Sequence, residues 1–288
     1  FSLTYVHQLH KSLQFIEPMK KQRLDTLLVE LDLCDSRQQA QRLIRAGEVM
    51  VNQQVIDKPG TEVDTSAQIQ IKQRSPYVSR GGEKLAKALE SFDIPVQGRI
   101  CLDGGISTGG FTDCLLQAGA KLVYGVDVGY GQVDWGLRND PRVILKERTN
   151  LRYLTPAQLY GDGEVPDLGV VDVSFISLAK ILPAFWNLLQ PPREAVLLVK
   201  PQFEVGKERV GKKGVVRDTD DHVRAIASVL QAAQQLGWHY RGLTWSPVTG
   251  PAGNIEYLLW LVMDSQTVSA DLSTIFAIAQ SAKAALTP

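Results

Sequence analysis

The chain has 288 residues with 31 basic and 31 acidic side chains, so its formal charge is zero, and 44% of it is apolar. That is the composition of an ordinary globular protein with room for one large domain and a smaller one. Any nucleic-acid-binding surface must therefore come from local clustering of positive charge rather than from a basic total.

The most apolar stretches, YLLWLVM and AVLLV, have strand length and are too short for a membrane span. Residues 1–19 are expected to be a leader outside the fold, because MKKQRLDTLL from Met19 reads like a natural start and no secretory signal precedes it. Cys34, Cys101 and Cys114 are widely spaced and form no CxxC pair, which speaks against a disulfide framework or a zinc site and for a reducing, cytoplasmic setting. No metal is expected.

In residues 20–76, Leu24, Leu27, Leu28 and Leu31 recur at helical spacing. Ser36 is placed to cap a second helix that carries Ala40, Leu43 and Ile44 on one face and stops at Gly47. EVMVN, QVI and AQIQI then alternate like short strands, giving a small α+β unit. Its second helix gathers Arg37, Arg42 and Arg45, with Arg23 just upstream. By itself such a group is better explained by a solvated helix face than by a partner.

Residues 77–94 are expected to link this unit to a larger one at 95–288. There RICLDGG, KLVYGVDVG, RVILKERT, LGVVDVSF, AVLLVKPQF, YRGLTWSP and EYLLWLVMD read as strands, with helical segments at 110–118, 177–189 and 220–236 between some of them. Strands separated by helices predict a parallel, doubly wound seven-stranded sheet, whose ligands bind where the strands end.

The loop after the first of these strands, CLDGGISTGGFTD, selects the ligand. It lacks the GxGxxG of a dinucleotide fold, and Gly110 stands where a phosphate loop needs lysine. GKERVGKKG at 206–214 imitates a phosphate loop more closely, but it does not turn directly from strand into helix. An acid ending the strand (Asp103), a loop of Gly105, Ser107, Thr108, Gly109, Gly110 and Phe111, and a second acid at the next strand end (Asp127) suit S-adenosylmethionine. Asp103 or its neighbouring backbone would face the amino-acid part, and Asp127 the ribose hydroxyls. The plain alternative is a tight turn and a capped helix.

Four ionisable residues fall at the ligand-facing edge: Lys84, Asp172, Lys200 and Glu256. Each singly reads as a structural ion pair or an exposed strand end. Together they read as a catalytic set, since lysine is seldom buried without a partner or a task.

Two resemblances sharpen this. RLDTLLVELDLCDSRQQAQRLIRAGEVMVNQQVIDKPGTEV resembles an S4-type RNA-binding domain, which implies phosphate contacts from Arg23, Arg37, Arg42 and Arg45. SRGGEKL, CLDGGISTGGFTD, VYGVDVGYGQVDW, VVDVSFISL, LVKPQFEVG, GVVRD and GPAGNIEYLL together resemble the TlyA family, which joins an S4 domain to an FtsJ-like ribosomal RNA methyltransferase domain. The resemblance implies a Rossmann-like methyltransferase fold, S-adenosylmethionine as cofactor, ribosomal RNA or ribosomal subunits as partner, and methylation of a ribose 2′-hydroxyl, with cytidine as the family precedent. It also implies a Lys-Asp-Lys-Glu tetrad at Lys84, Asp172, Lys200 and Glu256.

An ordinary lysine is a weak base at neutral pH, so Lys200 is left either as a base or as a group that steadies the developing oxyanion. One departure stands in the loop: the family's small Ala is Ile106 here, which is expected to narrow the cofactor loop. A basic segment with Lys207, Arg209, Lys212 and Lys213, together with Arg80, is expected to guide RNA inward. The alternatives are a haemolysin, the family's other name, although no membrane-active segment is read, and a non-catalytic RNA-binding factor.

Overall fold

The computed structural model describes residues 20–71, 75–263 and 271–286. The expected leader, 1–19, lies outside the described residues. The chain divides into two units, 1–74 and 75–288.

The first unit runs β1 (Lys21–Arg23), α1 (Leu24–Glu30), α2 (Arg37–Arg45), β2 (Val49–Val51), β3 (Gln54–Val55), β4 (Glu62–Asp64) and β5 (Ile69–Ile71). Strands β3, β2 and β5 form one antiparallel sheet, while β1 and β4 pair separately. Ser36 caps α2 as the sequence predicts, its Oγ accepting from the Gln39 amide at 3.3 Å. Leu24, Leu27, Leu28, Ala40 and Ile44 form the core with Val49 and Val51. Leu31 does not join them: α1 ends one residue earlier, and Leu31 lies exposed past its last turn.

The second unit begins with α3 (Arg80–Phe92), so the expected linker at 77–94 is largely a helix. Leu85 and Ala88 on its buried face pack into the same core as Phe111 and Leu115, which makes the helix integral to the unit. There follow β6 (Ile100–Gly104), α4 (Gly110–Gln117), β7 (Leu122–Val126), α5 (Trp135–Arg138), β8 (Val143–Lys146), α6 (Pro156–Tyr160), β9 (Leu168–Val171), α7 (Leu182–Leu188), β10 (Glu194–Val199), α8 (Pro201–Glu204), α9 (Thr219–Gln234), β11 (His239–Trp245), β12 (Tyr257–Val262) and α10 (Leu272–Leu286).

The sheet has the seven expected strands in the order β8-β7-β6-β9-β10-β12-β11. It is not wholly parallel. β12 runs antiparallel to both β10 and β11. No helix separates β11 from β12, and a connection without a crossover helix returns the chain as a hairpin. Strands β9 and β10 are buried along their whole length, which is why, apart from Glu194 at the start of β10, their sequences are apolar runs instead of alternating ones. From β6 the chain winds outward through β7 and β8, then crosses to β9 on the other side. This reversal opens a crevice at the carboxyl ends of β6 and β9, where doubly wound sheets bind ligands. Because β12 is reversed, its amino end reaches the same edge: Tyr257 pairs with Val199, which sets Glu256 beside Lys200.

Candidate active site

The loop leaving β6 is shaped for close backbone approach. Gly105 has φ +89°, and a side chain there would run into the Asp172 carbonyl oxygen. Asp127, at the end of β7, holds the loop from the other side. One of its oxygens accepts from the Ser107 amide at 2.8 Å and the other from the Gly129 amide at 2.7 Å. The carboxylate is thereby fixed in orientation, and each oxygen keeps acceptor capacity toward the crevice.

One of the two alternatives expected for this loop is corrected. The Asp103 side chain does not open onto the crevice: it is fully buried, accepts from Thr112 Oγ1 at 2.7 Å, and leaves Oδ1 without a hydrogen bond among the described residues. Burial, partly offset by the Thr112 hydrogen bond and reinforced by the Asp172 and Asp127 carboxylates, pushes its carboxyl up to about 7. Ile106 lines the cavity that holds the four ionisable residues, but it is almost wholly buried. Its side chain turns into the core and occupies the space that a side chain at Gly125 would need.

Two cavities meet at this edge. The first, of about 480 Å³, is lined by Gly105, Ser107 and Asp127 and also by Val128, Thr149, Asn150 and Ile176. A fixed acid beside apolar walls suits the sugar and base of a nucleoside. The second, of about 470 Å³, contains all four predicted catalytic residues, together with Arg80, Thr108, Gly110 and Phe111. The cavities share Gly105, Ser107, Asp172 and Ser174. Gly109, expected among the cofactor residues, lines neither; it starts α4 in the left-handed backbone region.

The four residues form two short ion pairs. Lys84 Nζ lies 2.6 Å from Glu256 Oε2, and Lys200 Nζ lies 2.6 Å from Asp172 Oδ1. Lys84, Lys200 and Glu256 are all buried, the last only 1% exposed. Lys200 also donates to Ser174 Oγ at 2.9 Å, a partner the sequence did not single out. Just past it Phe175 is 92% exposed at the rim of the crevice with φ +65°, a backbone region bulky residues rarely occupy.

The basic residues separate into free and engaged ones. Arg80, Lys207, Lys212 and Lys213 are exposed. Arg209 is tied to Asp221 at 2.8 Å. The segment carrying these lysines forms two short 3₁₀ turns rather than a strand-to-helix phosphate loop. Asn254 pins its end by donating to the Gly214 carbonyl at 2.8 Å and accepting from the Val216 amide at 3.0 Å. In the first unit, Arg23 and Arg37 both bind the buried Asp25, at 2.9 and 3.0 Å, where Gln41 also donates. Their first task is thus to neutralise that carboxylate. Arg42 and Arg45 are exposed and have no partner among the described residues.

A doubly wound sheet with its last strand reversed and two lysine–carboxylate pairs beside a nucleoside-sized cavity defines a methyltransferase of the FtsJ-like class. The family model described as FtsJ-like methyltransferase matches residues 77–263, and the S4 domain model matches 22–69. The 16S/23S rRNA (cytidine-2′-O)-methyltransferase TlyA of Mycobacterium tuberculosis is 50% identical over 244 residues, 84% of this chain and 90% of that protein. Hemolysin A of Brachyspira hyodysenteriae is 40% identical over 241 residues, 84% of this chain and 100% of the relative. A solved structure from Streptococcus thermophilus, whose description also carries the word hemolysin, superposes with a TM-score of 0.72 at 41% identity, covering 93% of this chain and 98% of the other. The chain belongs to the TlyA family, in which an S4 domain precedes an FtsJ-like methyltransferase domain. Among the described residues no helix is long and apolar enough to cross a membrane.

Proposed function

We propose that this protein transfers a methyl group from S-adenosylmethionine to the 2′-hydroxyl of a cytidine ribose in ribosomal RNA, the chemistry its Mycobacterium relative is named for. The observation that carries the reading is the pair of short lysine–carboxylate bridges in one cavity that adjoins a second cavity holding a fixed acid suited to a ribose. Asp127 would hold the cofactor's ribose hydroxyls, Val128 and Ile176 would flank its base, and the backbone of 105–107 would meet its amino-acid end. Bound there, S-adenosylmethionine supplies an electrophilic methyl group.

The chain's own residues do the rest. A lysine ammonium has three N–H donors. Lys200 gives one to Ser174 and is ion-paired with Asp172, so donor capacity remains for the ribose oxygen. As the hydroxyl proton passes to solvent water, negative charge grows on that oxygen, and a fixed, desolvated lysine stabilises it without having to reorganise. Held between Asp172 and Ser174, Lys200 is read here as the group that stabilises the oxyanion. Lys84, held by Glu256, brings a second positive charge to the cleft, and the two carboxylates keep the set neutral overall.

Of the predicted RNA contacts, Arg42 and Arg45 in the S4 unit, and Arg80, Lys207, Lys212 and Lys213 in the methyltransferase unit, are exposed cations suited to RNA phosphates. Three buried, unpaired cysteines suit the reducing cytoplasm where ribosomes are made. The test is to incubate the protein with methyl-labelled S-adenosylmethionine and undermethylated ribosomes, free subunits or naked ribosomal RNA, beside Lys200→Ala. Label on RNA that depends on Lys200 is expected. Full transfer by the variant would refute the reading.

A further inference from the structure

Asp172 and Ser174, the two partners of Lys200, stand on the segment 172–177, which belongs to no helix or strand. At its start the Asp172 amide donates to the Gly104 carbonyl at 3.0 Å. Its far end is held by a side chain from another element. Glu204, the last residue of α8, accepts from the Ser177 hydroxyl at 2.6 Å with Oε2 and from the Leu178 amide at 2.8 Å with Oε1. That amide opens the 3₁₀ turn Leu178–Lys180, where an N–H has no carbonyl of its own turn to meet. Between the two anchors Phe175 sits at φ +65°, a conformation that the surrounding bonds must hold in place. Glu204 is half-buried and pairs with no cation among the described residues. Burial pushes its carboxyl above the usual carboxylate range, and the Leu178 amide and the Ser177 hydroxyl draw it back. A carboxylate taken out of water without a counter-ion destabilises a fold unless hydrogen bonds compensate, and here both come from residues 177 and 178.

We propose that Glu204 is a positioning residue for methyl transfer: it fixes the 172–178 segment against the turn that carries Lys200, and thereby sets the direction of the Lys200 side chain. The inference rests on the 2′-O-methyl transfer argued above. Lys200 directly precedes α8 and Glu204 ends it. The Phe203 amide donates to the Lys200 carbonyl at 2.9 Å and the Val205 amide to the Pro201 carbonyl at 3.0 Å, so Lys200 and Glu204 share one bonded turn. From Glu204 the contacts run to Ser177 and Leu178, back along the segment to Ser174 and Asp172, and from those two to Lys200 Nζ. This ring closes on the group that meets the ribose oxygen. Opened at Glu204, it leaves Ser174 and Asp172 anchored at one end only, and they can then drift with the flexible lysine stem. A shift of about 1 Å at a reacting centre can slow a reaction on the order of a hundredfold. Glu204 lines neither cavity of the site, so its effect passes through these neighbours.

The test measures single-turnover methyl transfer to ribosomal RNA, at saturation and as a function of RNA concentration, together with hydrogen exchange of the peptide spanning 172–178. Glu204→Leu is expected to slow transfer about tenfold or more at saturation, to leave the half-saturating RNA concentration unchanged, and to speed exchange of that peptide. Glu204→Gln keeps an oxygen for the Leu178 amide and offers an N–H to the Ser177 hydroxyl, so it should retain most of the rate. Ser177→Ala removes one of the two bonds and should fall between them; it carries the test if Glu204→Leu does not fold. In a double variant with Ser174→Ala, the loss from Glu204→Leu should shrink, because both changes act through Lys200 Nζ. Wild-type transfer in Glu204→Leu, slowed transfer with unchanged exchange, equal losses in the Leu and Gln variants, or losses that multiply in the double variant would each overturn the assignment. If the wild type methylates no RNA while Glu204→Leu still loosens the peptide, the failure belongs to the methyltransferase reading, and the role of Glu204 falls with it.

Discussion

Replacing Asp103 by Asn removes a carboxyl group that the fold places entirely out of water. In the native protein Thr112 donates to one oxygen, while the other has no partner among the described residues. Burial raises the carboxyl from its ordinary 3.8 to about 7. An acid with a raised folded-state pKa keeps a proton that the unfolded chain has already released, so stability falls as pH climbs between those two values and levels off above the upper one. From pH 5 to pH 8 the loss is at most roughly 2 to 3 kcal/mol, taking about 1.4 kcal/mol for each pH unit in which only the folded state is protonated. Asn resembles the protonated acid in shape and can still accept from Thr112, yet it cannot ionise. Urea unfolding of both proteins across this range should show Asp103→Asn gaining on the wild type as pH rises, with most of the gain complete near pH 7. Parallel curves would refute the buried, neutral carboxyl. So would a loss of cofactor affinity as large as that of Asp127→Ala, because it would return Asp103 to the ligand.

Gly105→Ala puts a methyl group against the Asp172 carbonyl at φ +89°, so cofactor binding measured by calorimetry should be lost, along with measurable thermal stability. Asp127→Ala releases the Ser107 and Gly129 amides as well as the proposed ribose acceptor, and should weaken cofactor binding about tenfold or more. In the S4 unit, Asp25→Ala leaves Arg23, Arg37 and Gln41 without their shared acceptor; calorimetry of the full chain should show the unit melting earlier, by about 1 to 3 kcal/mol. Arg42→Ala with Arg45→Ala should leave melting unchanged, weaken RNA binding, and flatten its salt dependence by about two phosphate contacts.

Much of this site is legible in the chain because it sits at strand ends. Lys200 follows the apolar run 195–199, and Asp127 and Asp172 directly follow two more strands, so the strand pattern alone brings them to one edge. Glu256 reaches that edge only because β12 runs backwards, a fact set by the helix-free connection before it and invisible in the apolar pattern of YLLWLVM. Asp103 illustrates the opposite limit. A motif acid and a buried structural acid look identical in sequence, and what separates them here is the Thr112 hydroxyl one turn into α4. Ile106 reads as an obstruction until Gly125, on the neighbouring strand, is seen to vacate the space it fills. Arg23 and Arg37 read as RNA ligands because the sequence does not reveal that Asp25 is turned inward between them. Ser174 and Asn254 carry no charge or motif of their own. Only their partners mark them.

The most direct measurement of the central claim is where the methyl group lands. RNA treated with the wild type and with Lys200→Ala should be digested to nucleosides and resolved by mass spectrometry. The wild type should yield 2′-O-methylcytidine and the variant should lose it, by about a hundredfold or more, with cofactor affinity retained. A methyl group found on the base, or 2′-O-methylcytidine formed equally well without Lys200, would contradict it.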